Sequence, residues 1–180
     1  FMQHHNEHLI REKIRIRSYS KTGNSFFEIK KRDNRGFTDK RRIKAENVDF
    51  NSDVIQFLGK HSYLNSKEIS GCFQTKFERI TLVNRARSER VTIDFNLEFE
   101  NKTNGNLFNL QNLAIIEVKQ ESWKESAIRD YLREMRIKET GFSKYCIGSI
   151  LTDNTLKRNL FKRKLMQIDK ITNYKNGIVY

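Results

Sequence analysis

The segment Arg11–Tyr19, with the sequence REKIRIRSY, alternates between basic and aliphatic side chains. Successive side chains of a β-strand point to opposite faces, so Lys13, Arg15 and Arg17 share one face and the two isoleucines take the other. The alternation predicts a strand with one cationic face and one apolar face.

Two further segments repeat this pattern, each after a turn containing Gly and Asn. The first, Ser25–Lys31 (SFFEIKK), places Glu28 and Lys30 on one face. The second, Phe37–Ile43 (FTDKRRI), again has cations at alternate positions. Short two-faced segments joined by tight turns predict an antiparallel meander.

A second hairpin is predicted further along the chain, from Phe77–Arg85 (FERITLVNR) and Glu89–Glu100 (ERVTIDFNLEFE). Strict alternation in its second strand predicts one face with Arg90, Thr92, Asp94, Asn96 and Glu98, and the other with Val91, Ile93, Phe95, Leu97 and Phe99. The mostly apolar segment Asn112–Gln120 (NLAIIEVKQ) is predicted to be the next strand.

The periodicity becomes helical after residue 121. It predicts helices at Trp123–Lys138, Ser143–Thr152 and Asn154–Ile171, the last with Leu156, Leu160, Leu165 and Ile168 turned inward. A short helix is also predicted at Val54–Leu58. The fold class is therefore α+β, with an antiparallel sheet followed by C-terminal helices in a single domain over residues 1–180.

Composition narrows the class of partner. The 180 residues contain 35 Lys and Arg against 22 Asp and Glu, a formal net charge of +13, which points to a polyanionic partner. A hydrophobic content of 37% with 13 Phe argues against disorder. Apolar runs such as Leu113–Ile116 are far shorter than the roughly 20 residues of a transmembrane helix. Two cysteines without a CxxC motif are typical of a reducing, cytoplasmic setting.

The charged strand faces admit two interpretations. An antiparallel sheet with one solvated face gives the same alternation, although it predicts mixed signs. Here cations dominate, at Lys13, Arg15, Arg17, Lys30, Lys40, Arg42, Arg85, Arg90 and Lys119, against Glu28, Asp94, Glu98 and Glu117. If the sheet curls so that these faces point inward, guanidinium and ammonium groups would bind phosphate oxygens and carboxylates would hold Mg²⁺ or Mn²⁺.

A nuclease is the alternative that the same residues leave open. Asp94 followed by a strand with Glu117 and Lys119 resembles the PD-(D/E)-x-K core, in which two carboxylates hold a metal and the lysine positions water. The basic segment Lys157–Lys164 would then contact DNA phosphates. The motif is degenerate, because Glu28-Ile29-Lys30 matches Glu-x-Lys equally well.

Seven segments in order carry a more specific resemblance: KIRIRSY (13–19), FFEIK (26–30), KRR (40–42), TLVNR (81–85), RVTID (90–94), IIEVK (115–119) and FSKYCIG (142–148). Together they resemble the VTC domain, the polyphosphate polymerase branch of the triphosphate tunnel metalloenzymes, in its bacterial form. This implies an antiparallel β-barrel tunnel with helices packed outside. It also implies transfer of the γ-phosphate of ATP to polyphosphate with Mn²⁺ or Mg²⁺.

The resemblance also implies roles for individual residues. The matching catalytic cations are Arg15, Arg17, Lys30, Lys40, Arg85, Arg90 and Lys144, and Arg42 and Lys119 join them in binding the triphosphate. Glu117 matches the metal-binding glutamate, with Glu28 as a second candidate. ATP and inorganic polyphosphate are then the expected partners, and nucleic acid is not.

The family's usual first strand, Arg-Tyr-Glu-x-Lys, has no match in this chain, so either an N-terminally truncated domain or a degenerate member of the family is expected. A tunnel without that strand would lose one wall. A polyphosphate-binding module without turnover is therefore the second hypothesis. The cationic pattern does not separate a polymerase from a triphosphatase, and it leaves oligomeric state and membrane attachment through a partner open.

Overall fold

A computed structural model describes residues 1, 6, 8–45, 51–120 and 125–172. The chain forms two compact units, 1–71 and 72–180. The first contains strands β1 (Arg11–Tyr19), β2 (Asn24–Arg32) and β3 (Thr38–Ala45), helix α1 (Ser52–His61) and a short 3₁₀ helix (Ser66–Glu68).

The three strands of the first unit form an antiparallel sheet in the order β1-β2-β3. Its apolar face packs against α1 to form a core of Phe27, Ile29, Ala45, Val54 and Leu58. Asn51 caps α1, because its side chain accepts a hydrogen bond from the Val54 backbone N–H. The meander and the short helix predicted here are both confirmed, each with slightly longer elements.

The second unit contains four strands and three helices among the residues described. They are β4 (Phe73–Val83), β5 (Glu89–Asn101), β6 (Leu107–Leu110), β7 (Ile115–Gln120), α2 (Ala127–Glu134), α3 (Lys144–Thr152) and α4 (Lys162–Thr172), with a 3₁₀ turn at Asn159–Phe161. Strand β5 is central, since it pairs antiparallel with β4 on one edge and with β6 and β7 on the other. Helix α3 packs on this sheet, where Gly148 lies against the rings of Phe73 and Phe99.

A β-bulge changes which β5 residues share a face. The register with β4 shifts between Lys76 and Glu78, and Asn96 adopts a positive φ of 51°. The extra residue reverses the alternation beyond it. One face therefore carries the buried residues Thr92, Asp94, Leu97, Phe99 and Asn101. The strict alternation predicted from the sequence is wrong after Asn96.

Two predicted helices are shorter than expected. The predicted helix Trp123–Lys138 is α2, Ala127–Glu134, and residues 121–124 lie outside the described part of the chain. Helix α2 ends because Arg136 takes a positive φ of 58° and the next N–H, of Ile137, bonds back to the Leu132 carbonyl.

The predicted helix Asn154–Ile171 begins only at Lys162, after the 3₁₀ turn. The carboxylate of Asp153 accepts hydrogen bonds from the backbone and hydroxyl of Thr155, which holds the preceding segment in a turn. Leu165 and Ile168 are buried as predicted, but Leu160 is exposed. The segment predicted as one strand, Asn112–Gln120, is strand only from Ile115, and β6 was not predicted at all.

The α+β class with antiparallel sheets is confirmed, whereas the barrel is not. The described strands form one three-stranded and one four-stranded sheet, and no closed barrel is detected among them. No helix within the described ranges is long and apolar enough to cross a membrane.

Candidate anion-binding faces

The polar face of the first sheet is a grid of cations around one carboxylate. Residues opposite one another on neighbouring strands share a face. The cross-strand rows on this face are Arg17–Phe26–Lys44, Arg15–Glu28–Arg42 and Lys13–Lys30–Lys40. Glu28 thus occupies the centre of a surface that is otherwise almost wholly basic.

Glu28 is buried and bonded to three of these cations. Its Oε2 accepts from Arg15 at 2.7 Å (Nε) and 2.6 Å (Nη2), and lies 3.8 Å from Arg17 Nε. Its Oε1 lies 3.2 Å from Lys40 Nζ. The side chain of Glu28 is 3% exposed, whereas that of Arg15 is 38% and that of Lys40 is 47% exposed. The carboxylate is therefore enclosed, and the cations above it face solvent.

The charge state of Glu28 follows from these contacts. Burial opposes ionisation, but the hydrogen bond and charge of Arg15, the charge of Arg17 and the hydrogen bond of Lys40 outweigh it. The pKa of Glu28 consequently lies below its ordinary value of 4.5. At neutral pH the group is an anion that anchors its neighbours.

The structure brings most of the cations predicted in this unit onto one face. Arg15, Arg17 and Lys40 meet at Glu28, while Lys30 lies in the adjacent row and Arg42 sits over the Phe26 ring, 5.0 Å from its centroid. Lys44 belongs to the same face but was missed, because the predicted strand stopped at residue 43 and β3 continues to 45. Extending the alternation of Lys40 and Arg42 by two residues would have placed Lys44 on this face.

The second unit repeats the arrangement with Asp94. This carboxylate, 2% exposed, accepts from Arg79 Nε at 2.5 Å and from Arg79 Nη2 at 2.6 Å, and also from Lys144 Nζ. Lys144 opens α3 and its ammonium lies 4.5 Å from the centroid of the Phe77 ring. Burial opposes ionisation of Asp94, but hydrogen bonds and charge from Arg79 and Lys144 lower its pKa below 3.8.

Of the two arginines in the predicted strand Phe77–Arg85, the structure places Arg79, and not the predicted site residue Arg85, on the charged face. Arg79 lies directly opposite Asp94 in β4, although it was not a predicted site residue. Arg85 was predicted on the strand, but β4 ends at Val83 and Arg85 is an exposed residue of the following turn. The predicted strand placement of Arg85 is therefore wrong, and Arg79 is the hairpin arginine on the charged face.

The remaining predicted residues continue this face along β5 and β7. Glu117 lies opposite Thr92, and Lys119 lies opposite Arg90. Glu117 Oε1 is 3.1 Å from Lys119 Nζ, and both side chains are about half exposed, at 50% and 54%. The Thr92 hydroxyl is buried and makes no hydrogen bond within the described residues. Arg90 and Lys119 thus form one accessible cross-strand pair, and Glu117 lies in the neighbouring pair with Thr92, between them and Asp94 along the strands.

This geometry limits where a divalent metal fits. Glu117 offers a half-exposed carboxylate, whereas both oxygens of Glu28 and both of Asp94 are bonded to cations. Within the described ranges, no three His, Cys, Asp or Glu side chains come close enough to hold a metal ion. A metal at Glu117 would therefore take its other ligands from water and from a bound phosphate chain, as Mg²⁺ commonly does.

The same contacts give no support to the nuclease alternative. That chemistry needs Asp94, Glu117 and Lys119 around one metal. Instead Asp94 is occupied by Arg79 and Lys144, while Glu117 and Lys119 pair with each other.

Comparison with known proteins assigns the chain to a family. The family model for the VTC domain matches residues 1–152, which include both charged faces. Searches of the curated proteins and of the solved structures gave no match. The chain therefore belongs to the VTC domain family, which indicates a function related to polyphosphate.

Proposed function

We propose that this chain binds a triphosphate or polyphosphate on its basic faces and transfers the γ-phosphate of ATP to a growing polyphosphate chain. The observation that carries the proposal is the grouping of cations on one face in each unit of a VTC domain chain. Such a surface suits a linear polyanion with regularly spaced oxygens.

The proposed reaction relies on positioning and charge neutralisation. A terminal oxygen of the acceptor chain attacks the γ-phosphorus, the bond from that phosphorus to the β–γ bridging oxygen breaks, and ADP leaves with the bond's electrons. Catalysis of phosphoryl transfer comes largely from holding these groups in line and balancing their charge. The cations assigned to this role are Arg15, Arg17, Lys30, Lys40, Arg42, Arg79, Arg90, Lys119 and Lys144; the exposed turn residue Arg85 stays a peripheral candidate.

A divalent cation, Mn²⁺ or Mg²⁺, belongs to this proposal, and it would neutralise negative charge on the phosphate chain. Glu117 is the residue that would hold it. Glu28 does not fit this role, because its two oxygens are bonded to Arg15 and Lys40.

The single domain and the closed tunnel also belong to the proposal. The family match extends across both compact units, which supports one functional domain. A tunnel requires that one bound phosphate chain contact Arg15 and Arg90 of the same molecule. A crystal structure with tripolyphosphate would test this directly, and contacts to only one of these arginines would contradict the tunnel. We place the reaction in the cytoplasm, where ATP is available.

The function is tested by incubating the protein with ATP and Mn²⁺ and measuring ADP release and polyphosphate together. We expect both products, and we expect Arg15→Ala and Arg90→Ala to reduce them at least tenfold. Arg163→Ala is the matched control, since Arg163 is an exposed arginine of helix α4 and does not belong to either charged strand face, and it should keep wild-type activity.

Three results separate the possibilities. Release of phosphate without polyphosphate would identify a triphosphatase. Tight polyphosphate binding without consumption of ATP would identify a binding module. If the wild-type protein neither binds polyphosphate nor consumes ATP, the proposed function is wrong.

A further inference from the structure

The contacts of Glu28 suggest a role that neither its charge nor its place in the sequence reveals. It is the only acidic residue in the three cross-strand rows of the cationic face that the structure describes. A buried carboxylate under a site for a polyanion is unfavourable on charge alone, because it repels the ligand. Its position therefore needs another explanation.

Glu28 fixes cations that would otherwise repel one another and move. Arg15 and Arg17 lie on the same strand face, and Lys40 approaches from the opposite strand. Long cationic side chains lose considerable rotamer freedom when they bind a ligand. Bonds to one central carboxylate restrict these side chains already in the unliganded protein. Less rotamer freedom is then lost when the ligand binds, which is the advantage of preorganisation.

The bonded cations still have donors for a ligand. Arg15 uses Nε and Nη2 for Glu28, and a guanidinium has five N–H donors in total. Lys40 uses one contact to Glu28 and has three donors. The side chains of both remain more than a third exposed.

We propose that Glu28 is a positioning residue, which sets the spacing of Arg15, Arg17 and Lys40 for the oxygens of a phosphate chain and touches neither the chain nor a metal. This inference rests on the proposed function, because it concerns the binding of a polyphosphate to the same face. It assigns Glu28 a role different from the metal-ligand role implied by the family resemblance.

The substitution Glu28→Gln tests the idea, because charge and positioning predict opposite signs. Removing a negative charge should strengthen the binding of a polyanion if charge alone matters. Loss of the fixed cation geometry should weaken it. We expect the dissociation constant for tripolyphosphate to rise about tenfold, measured by calorimetry in EDTA so that no metal contributes.

Asp39→Asn is the matched control, because it makes the same change of net charge on the same sheet. Asp39 pairs with Arg41 at 2.8 Å, its side chain is 46% exposed, and its cross-strand neighbour is Lys31, on the face opposite to Glu28. We expect this variant to bind tripolyphosphate as tightly as the wild type or slightly more tightly. The contrast between the two variants separates positioning from net charge.

A second variant covers the case in which Glu28→Gln does not fold. Glu28→Asp keeps the charge but shortens the side chain by one methylene, so the same cations are held in a shifted position. We expect the dissociation constant for tripolyphosphate to rise about three- to tenfold. The circular dichroism spectrum of the variant should equal that of the wild type, which shows that it folds.

Several outcomes would overturn the inference. Wild-type or tighter binding by folded Glu28→Gln would remove the positioning role, and so would wild-type binding by Glu28→Asp. A loss that appears only with Mn²⁺ present, and not in EDTA, would identify Glu28 as a metal ligand instead. Failure of the proposed function is distinct from all of these, since in that case the wild-type protein itself would not bind tripolyphosphate.

Discussion

Glu28 and Asp94 are acidic residues at the centres of basic surfaces, and both are almost fully buried. A buried charge is tolerated only when it is paired and hydrogen-bonded. Each of these carboxylates meets that requirement through cations whose side chains remain partly exposed. The same contacts therefore satisfy the buried charges and hold donors at the surface.

Arg79→Ala should destabilise the second unit, because Asp94 would remain buried with two fewer hydrogen bonds. An unsatisfied buried polar group costs about 1–3 kcal/mol, so we expect a loss of that size in the free energy of unfolding. The measurement is the urea midpoint followed by circular dichroism. Arg79→Ala should also weaken tripolyphosphate binding.

Arg85→Ala is the natural comparison, since it removes the same side chain from the exposed turn of the same hairpin. Its stability should stay within about 0.5 kcal/mol of the wild type. If Arg85→Ala weakens binding more than Arg79→Ala does, our assignment of the hairpin arginine is wrong.

Alternation by itself could not choose between these two arginines. Residues 79 and 85 are separated by an even number of positions, so a longer strand would place both on one face. The strand ends at Val83 because the Asn84 side chain bonds to the backbone N–H of Glu89 and to Ser88, closing the turn. Because the turn begins at Asn84, Arg85 lies outside the strand and is not on the charged face.

At the scale of elements, the contact between α3 and the second sheet leaves no room for a side chain at Gly148. A Cβ there would lie 2.4 Å from Phe99 and 2.6 Å from Phe73. The Ser143 hydroxyl caps the helix by accepting a hydrogen bond from the backbone N–H of Cys146. This cap fixes the start of the helix at Lys144. The position of Lys144 at Asp94 thus depends on this close packing.

Gly148→Ala should destabilise the second unit by about 1–3 kcal/mol, because overpacking forces the aromatic rings or the helix to move. A helix displaced in this way would also separate Lys144 from Asp94. Unfolding midpoints give the loss of stability. Nuclear magnetic resonance shifts at Phe73 and Phe99 would report the displacement.

Gly59→Ala provides a control with the opposite sign. Gly59 is also helical, but nothing lies within 4 Å of a Cβ built there. Alanine is the better helix former by roughly 0.5–1 kcal/mol, so this variant should be slightly more stable. Equal effects of the two substitutions would show that Gly148 does not mark a close approach.

The bulge at Asn96 is a second feature that belongs to the element scale. One extra residue in β5 moves Leu97 and Phe99 to the face of Asp94, where α3 packs. The sequence DFNLEF is compatible with simple alternation, so pattern alone predicted the wrong face. The register between β4 and β5 determines which face Leu97 and Phe99 occupy, because a bulge arises from the pairing of two strands.

At the scale of the whole molecule, two buried carboxylates in a chain of formal net charge +13 link its stability to pH. Glu28 and Asp94 have pKa values below their ordinary 4.5 and 3.8, so the native state holds fewer protons than the unfolded state in acid. The stability that they contribute is complete above the ordinary values and is lost as pH falls through the lowered ones.

We therefore expect stability to decrease steeply below about pH 4.5, as native carboxylates must take up protons. The urea midpoint measured from pH 7 to pH 3 gives this profile. The difference in stability between wild type and Glu28→Gln should shrink over the same range, since protonated Glu28 resembles glutamine. A difference that stays constant to pH 3 would contradict the ionic role of Glu28.

Sequence patterns alone were enough to predict the α+β class, the antiparallel hairpins, the cationic strand faces and the family. Alternation, turn residues and the order of motifs depend on residues close together in the sequence, so they can be recognised without a structure. Contacts in the folded chain were needed to show that Glu28 and Asp94 are enclosed by cations, that Arg79 and not Arg85 lies opposite Asp94, and that β5 changes face at Asn96. These features depend on strand register and on side chains distant in sequence, and such pairings are set when the strands and helices pack together.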